Sequence, residues 1–199
     1  MRKGNLYVIS GPSGAGKGTV MARFLPAHPE MFYSISATTR APRPGEVDGV
    51  QYYFLQKEEF DAQKAAGGFL ESASFCGNSY GTPRDAVMAK LENGIDVVLE
   101  IEVQGAIQVM QSYPAGIFIF IAPPSMEELR RRLVGRQTET QEAIQNRLRR
   151  AEEEMEMAPR YTYVVVNHTP QQAAEDLEKI IEKEEARKSG VTEKGEKRV

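Results

Sequence analysis

With 199 residues, 41% of them hydrophobic, and a formal net charge of −3, the chain is long enough to bury a sizeable core. It lacks the basic surplus that broad binding to nucleic acid or to an anionic membrane surface requires. Cys76 is the one cysteine, which excludes an intrachain disulfide and leaves no thiol metal site. No apolar run approaches membrane-spanning length, and together these features predict a cytoplasmic protein with neither a membrane nor a nucleic acid as partner.

In chain order, Leu6 to Ser10 forms the first short apolar run, and residues 11 to 19 follow it as Gly-Pro-Ser-Gly-Ala-Gly-Lys-Gly-Thr. Gly11, Gly14 and Gly16 allow the backbone to curl with successive N–H groups pointing inward. The helix-like stretch from Val20 to Leu25 would add its N-terminal partial charge, and Lys17 a full one. Gly11, Pro12, Ser13, Gly14, Ala15, Gly16, Lys17, Gly18 and Thr19 therefore read as a cradle for a nucleotide triphosphate. A glycine-rich turn that merely links strand to helix would need no lysine at this offset.

The strand-helix pattern is interrupted from about Ser34 to Asp85, where arginines, tyrosines, hydroxyls and turn residues interleave. Prolines and a glycine around Arg43 would hold Arg40 and Arg43 on a rigid turn, where their planar forks suit a phosphate. Pairing with Glu46 or Asp48 in a solvated loop is the competing account. Apolar runs return at Ile95 to Ile101 and Ile117 to Ala122. A second interruption, from about Pro123 to Pro159, is mostly helical and carries seven of the fifteen arginines and no lysine. Arg132 and Arg136 share a helical face. Arg130, Arg131, Arg149 and Arg150 suit a solvated face rich in glutamate. Residues 135 to 140 read as the turn of a hinged lid.

The last apolar run is Tyr163 to Asn167, and from Arg187 onward the composition predicts a mobile tail. Continuous rather than alternating hydrophobicity in the four runs, with long connections, predicts an α/β fold whose parallel sheet is flanked by helices. The expected division is a core of residues 1–33, 86–122 and 160–186, a substrate region of 34–85, a lid of 123–159 and a tail of 187–199. Ligands in such sheets lie at the carboxyl ends of the strands, where the phosphate loop, Glu100 and Asn167 fall.

These motifs, together with Ser36-Ala37-Thr38-Thr39-Arg40-Ala41-Pro42-Arg43, Gly77-Asn78-Ser79-Tyr80-Gly81-Thr82, Leu99-Glu100-Ile101-Glu102-Val103-Gln104-Gly105, Ile121-Ala122-Pro123-Pro124-Ser125 and Gly135-Arg136-Gln137-Thr138-Glu139-Thr140, make the chain resemble guanylate kinases, within the nucleoside monophosphate kinases of P-loop fold, from Gly4 to about Ile181. The resemblance implies transfer of the γ-phosphoryl group of ATP to GMP, giving ADP and GDP, with Mg²⁺ required. It assigns Ser36, Glu71 and Thr82 to the guanine base and Arg40, Arg43, Tyr52 and Tyr80 to the GMP phosphate. Glu100 and Glu102 would face the same site, and Asn167 the adenine side of ATP. Guanine offers N1–H and N2–H₂ donors beside an O6 acceptor, so a carboxylate with hydroxyls is a fitting reader.

Two residues depart from the pattern. Glu102 stands where the family commonly has an aspartate, and Gly18 stands where many phosphate loops place a metal-binding hydroxyl, so Mg²⁺ is expected to be held mainly by phosphates and water. The GMP phosphate is itself the nucleophile, so no catalytic base is needed and His28 and His168 take no role. Catalysis is expected from Lys17, Arg132, Arg136 and Arg147, the arginines swinging in with the lid. The competing functions are a non-catalytic module of the same fold and a kinase for another monophosphate, above all AMP.

Overall fold

The computed structural model describes residues 3–75, 77–134 and 141–190. Cys76, Arg136 and the predicted lid turn of 135–140 lie outside them. The chain opens with strand β1 (Leu6–Ser10), which leads through the glycine loop into helix α1 (Lys17–Phe24). Pro26 then sets a short 3-10 turn (Leu25–Ala27). Strand β2 (Phe32–Tyr33) precedes the first interruption, which holds β3 (Ala37–Thr38), β4 (Tyr53–Phe54), α2 (Lys57–Ala65), β5 (Phe69–Phe75) and β6 (Asn78–Pro83). Helix α3 (Arg84–Glu92), β7 (Val97–Glu100), α4 (Val103–Ser112) and β8 (Ile117–Ala122) return the chain to the main body. Helices α5 (Met126–Val134) and α6 (Gln141–Met155) follow, then β9 (Tyr163–Val166) and α7 (Pro170–Lys188).

The main sheet runs β2-β7-β1-β8-β9, and every pairing in it is parallel. All five residues of β1 and all six of β8 are buried, as a sheet covered on both faces demands. One face packs Tyr7, Ile9, Ile119 and Ile121 against Val20, Phe24, Leu177 and Ile181 of α1 and α7. The other packs Val8, Leu99, Phe118 and Phe120 against Val87 and Leu91 of α3 and Val103 and Val109 of α4. Thr169 starts α7, its Oγ1 accepting from the Gln172 N–H at 3.2 Å, with Pro170 in the first turn.

The apolar runs at Leu6–Ser10 and Ile117–Ala122 are strands over their full length. The third is shorter than its hydrophobic run because Ile95 N–H closes the end of α3 on the Lys90 carbonyl at 3.0 Å and Asp96 Oδ1 accepts from Asn5 N–H at 2.6 Å. The first interruption is more ordered than its turn-rich sequence predicts. Its strands form a second sheet of order β4-β3-β6-β5, mostly antiparallel, with Phe60 of α2 stacked on Phe69 at 4.5 Å. Helix α7 also continues through Arg187 and Lys188, beyond the expected start of the tail. The Lys188 ammonium donates to Asn5 Oδ1 at 2.6 Å and to the Lys3 carbonyl, tying the helix end to the chain's first described residues.

Candidate active site

The phosphate loop forms because two glycines occupy places no other residue fits. A Cβ on Gly11, whose φ is +149°, would lie 2.1 Å from the Ile121 carbonyl oxygen. One on Gly16, at φ +90°, would lie 2.6 Å from Asn167 Nδ2. Gly16 is the residue ahead of α1, and no side chain caps that helix end, so its first-turn N–H groups remain for an anion. Lys17 is buried and spans the loop, its Nζ donating to the Gly11 carbonyl at 2.5 Å and the Pro12 carbonyl at 3.4 Å. Pro12, Ser13, Gly14, Gly16, Lys17, Gly18 and Thr19 line an open cleft with Glu100 and Glu102.

A second cavity of about 300 Å³ adjoins that cleft through Lys17, Glu100 and Glu102, which line both. Its walls bring Ser36, Tyr52, Glu71 and Tyr80 together, as the sequence predicts. Glu71, only 6% exposed, is pinned by Thr82, whose hydroxyl donates to Oε1 at 2.7 Å. Burial outweighs that hydrogen bond and pushes the Glu71 carboxyl up to about 7. Thr82 does not line the cavity. It holds Glu71 from behind, while Ala73 and Ser74 are among the wall residues.

Helix α4 completes the setting of Glu71. Gln108 exchanges two hydrogen bonds with the Ser72 backbone, at 2.9 and 3.1 Å, docking the helix on β5. Gly105 faces the carboxylate so closely that a Cβ there would sit 2.4 Å from Glu71 Oε2. Gly105→Ala is therefore expected to displace the carboxylate and raise KM for the ligand of this cavity about tenfold, with KM for the ligand of the phosphate cleft unchanged. Steady-state kinetics with each substrate varied in turn checks it.

Behind the tyrosines, Arg40 does not itself line the cavity; it is oriented by its ion pair with Glu46 (2.9 Å) and by the Ala41 carbonyl (2.7 Å), and it lies 5.4 Å from the Tyr52 ring centre. Tyr52 and Tyr80 meet edge to face at 6.1 Å. The pairing with Glu46 that the sequence offered as a competing account is present. It aims Arg40 beside the two tyrosines rather than turning it to solvent. The Arg43 side chain is exposed and is not brought to the cavity, while its N–H donates to Glu46 Oε2 at 2.7 Å. Glu100 accepts from the Tyr33 hydroxyl at 3.1 Å, and burial raises its carboxyl above the usual range against the lowering effect of Lys17. Glu102 Oε1 lies 4.0 Å from Lys17 Nζ.

Arg132 lies against the phosphate loop. Its guanidinium donates to the carbonyls of Ala15 (3.2 Å) and Asn167 (2.9 Å), and to Glu128 (2.9 Å), because Leu129 and Leu133 of the same helix pack on Gly14. Asn167 is 2% exposed and its Nδ2 braces the loop by donating to the Ala15 carbonyl at 2.7 Å, while its buried Oδ1 has no partner among the described residues. Arg147 is half-buried on α6 and is not among the cavity-lining residues, whereas Arg150, assigned by sequence to the solvated face, is. Arg131 pairs with Glu128 on the surface as expected. Sequence reasoning also missed Tyr33, Ser34, Ile35, Gln51 and Ile101 as wall residues. Adjacency to Ser36, Tyr52, Glu100 and Glu102 signals Ser34, Ile35, Gln51 and Ile101, and nothing local signals Tyr33.

The geometry joins a triphosphate cradle to a cavity with a buried carboxylate at one wall and two tyrosines, backed by Arg40, at another. A family model described as guanylate kinase matches residues 3–184. The chain belongs to the guanylate kinase family. Among members of that family, the guanylate kinase of Oceanobacillus iheyensis is 49% identical over 195 residues, spanning 98% of this chain and 95% of its own. The guanylate kinase of a Synechococcus species is 54% identical over 172 residues, 86% of this chain and 90% of its own. The crystal structure of a guanylate kinase from Anaplasma phagocytophilum matches with a TM-score of 0.76 at 34% identity, over 92% of this chain and 87% of that one. The α/β architecture is thus that of the guanylate kinase family.

Proposed function

We propose that this chain transfers the γ-phosphoryl group of ATP to GMP, giving ADP and GDP. The observation that carries the reading is the continuity of the phosphate cradle with the cavity holding Glu71, through the shared walls of Lys17, Glu100 and Glu102. In this reading ATP lays its phosphates on the loop N–H groups and Lys17. GMP donates N1–H and N2–H₂ to Glu71, with Ser36 beside the base, and its phosphate meets Arg40, Tyr52 and Tyr80. The acceptor oxygen is already anionic, so the protein's work is in-line placement, exclusion of water and stabilisation of the charge spreading over the transferred group. Lys17 supplies that charge directly and Arg132 stiffens the loop that presents it.

Mg²⁺ suits the donors present. Glu100 and Glu102 are hard oxygen ligands at the cleft, and no group of three metal-binding side chains occurs among the described residues. A Cβ on Gly18 would meet Glu100 Oε1 at 3.5 Å, an ordinary van der Waals contact, so the place of the usual hydroxyl faces a carboxylate. Glu100 and Glu102 would hold the ion's water shell beside the phosphates, and the ion would supply neutralising charge there. We further place the protein in the cytoplasm, on its single cysteine. Among the described residues no helix is long and apolar enough to cross a membrane.

The test is product analysis after incubation with Mg·ATP and GMP. Equal amounts of ADP and GDP are expected. GMP binding without either product would reassign the chain to a non-catalytic module.

A further inference from the structure

We propose that Arg150 is a further substrate-contacting residue of the phosphotransfer site and that Glu154 is the positioning residue that aims it; the inference rests on the GMP kinase reading above. Arg150 is the described residue of α6 that lines the cavity holding Lys17, Glu71, Tyr52 and Tyr80. Its Nε donates to Glu154 Oε1 at 3.0 Å, one helical turn on. Glu154 is unlike its neighbours. Glu152, Glu153 and Glu156 are exposed, while Glu154 is 6% exposed, shares the buried stripe of α6 with Ala151, and has no hydrogen-bond partner for Oε2 among the described residues.

A surface i,i+4 pair needs no burial and contributes little, whereas taking a carboxylate out of water costs the fold free energy that one ordinary ion pair does not return. Such a group makes sense where it fixes the direction of a guanidinium. The neighbourhood says toward what. The charges acting on Glu154 from outside its own helix are those of Glu102 and Lys17, and Lys17 and Glu102 line both the phosphate cleft and the acceptor cavity. The Arg150–Glu154 pair therefore stands at the junction where the acceptor phosphate meets the transferred group. A planar guanidinium there grips phosphate oxygens while Glu154 holds its plane.

The experiment is steady-state kinetics and thermal unfolding of the full chain carrying Arg150→Gln, Arg150→Lys, Glu154→Gln, the double variant, and Arg149→Gln on the exposed face as control. Arg150→Gln is expected to lower kcat about 30-fold with KM for ATP unchanged, as for loss of one preorganised donor. Arg150→Lys restores part of the rate, Glu154→Gln lowers kcat in the same direction, and the double variant is no slower than Arg150→Gln alone. Arg150→Gln with kcat and KM for GMP within about twofold of wild type overturns the proposal, and independent, multiplying losses overturn the positioning role of Glu154. Should Glu154→Gln fail to fold, Arg150→Gln and Arg150→Lys decide alone. Wild-type protein that forms no GDP contradicts the underlying reading, whereas active wild type with fully active Arg150→Gln contradicts only this inference.

Discussion

Lys17→Ala is expected to lower kcat by about 10³-fold while Tm falls by only a few degrees. The ammonium group is held at the mouth of the loop by the Gly11 and Pro12 carbonyls, so its alkyl stem is packed and its charge pre-aimed. Alanine removes two backbone contacts, a loss of about 1–3 kcal/mol in the fold. The loop itself survives, since Gly16, Asn167 and Arg132 set its shape from the other side. The damage therefore falls on the transition state, in which negative charge spreads over the group being transferred. Steady-state kinetics paired with thermal unfolding separates the two effects. A variant retaining activity within tenfold of wild type contradicts the role given to Lys17.

Glu71→Gln is expected to make the protein more stable and less able to use GMP. Burial raises the Glu71 carboxyl from the ordinary range to about 7 in the folded chain. Its protonated form is thus favoured by folding, and stability is fullest below about pH 4.5 and declines as pH rises to about 7. Above that the ionised group costs the fold about 3 kcal/mol, a cost glutamine does not carry. At pH 8 the variant should melt roughly 5–10 °C higher. The amide, however, turns donors toward the N1–H and N2–H₂ donors of guanine, so kcat/KM for GMP should fall about 10²-fold with KM for ATP unchanged. Because guanine needs the ionised carboxylate, KM for GMP in the wild type should rise about tenfold per pH unit below 7. The variant shares any titration of the GMP phosphate but lacks this slope. A wild-type KM that tracks the variant's across pH 5.5 to 8 contradicts the assignment.

Much of the fold was legible because its signals are local. Continuous apolar runs name buried parallel strands directly, and Gly11, Gly14, Gly16 and Lys17 carry their geometry in their spacing. The β3–β6 sheet was not legible, since its two-residue strands β3 and β4 are shorter than any periodicity can register and are fixed by long-range pairing such as Ala37 with Gly81. At the site, residue types were readable but their division of labour was not. Thr82 and Glu71 are eleven residues apart, and nothing local says that one holds the other. Asn167 looks like a ligand at a strand end, yet its Nδ2 donates to the Ala15 carbonyl 152 residues away. Arg147 and Arg150 differ only in which way α6 turns against the body, a rotation set by Ala151 and Glu154 rather than by either arginine. Gly105 gave no sign of its part, because an absent side chain matters only through what comes close to it.

The most direct test of the account is a competition assay in which GMP, AMP, CMP and UMP, each labelled in its base, are offered together with unlabelled Mg·ATP and the labelled diphosphates formed are resolved. A site that reads guanine through a buried carboxylate should favour GMP over AMP by at least about 10³-fold in kcat/KM, and Glu71→Gln should narrow that margin. Comparable labelled GDP and labelled ADP from the two purine monophosphates, or a preference for AMP, would leave the fold standing and contradict the guanine site built around Glu71.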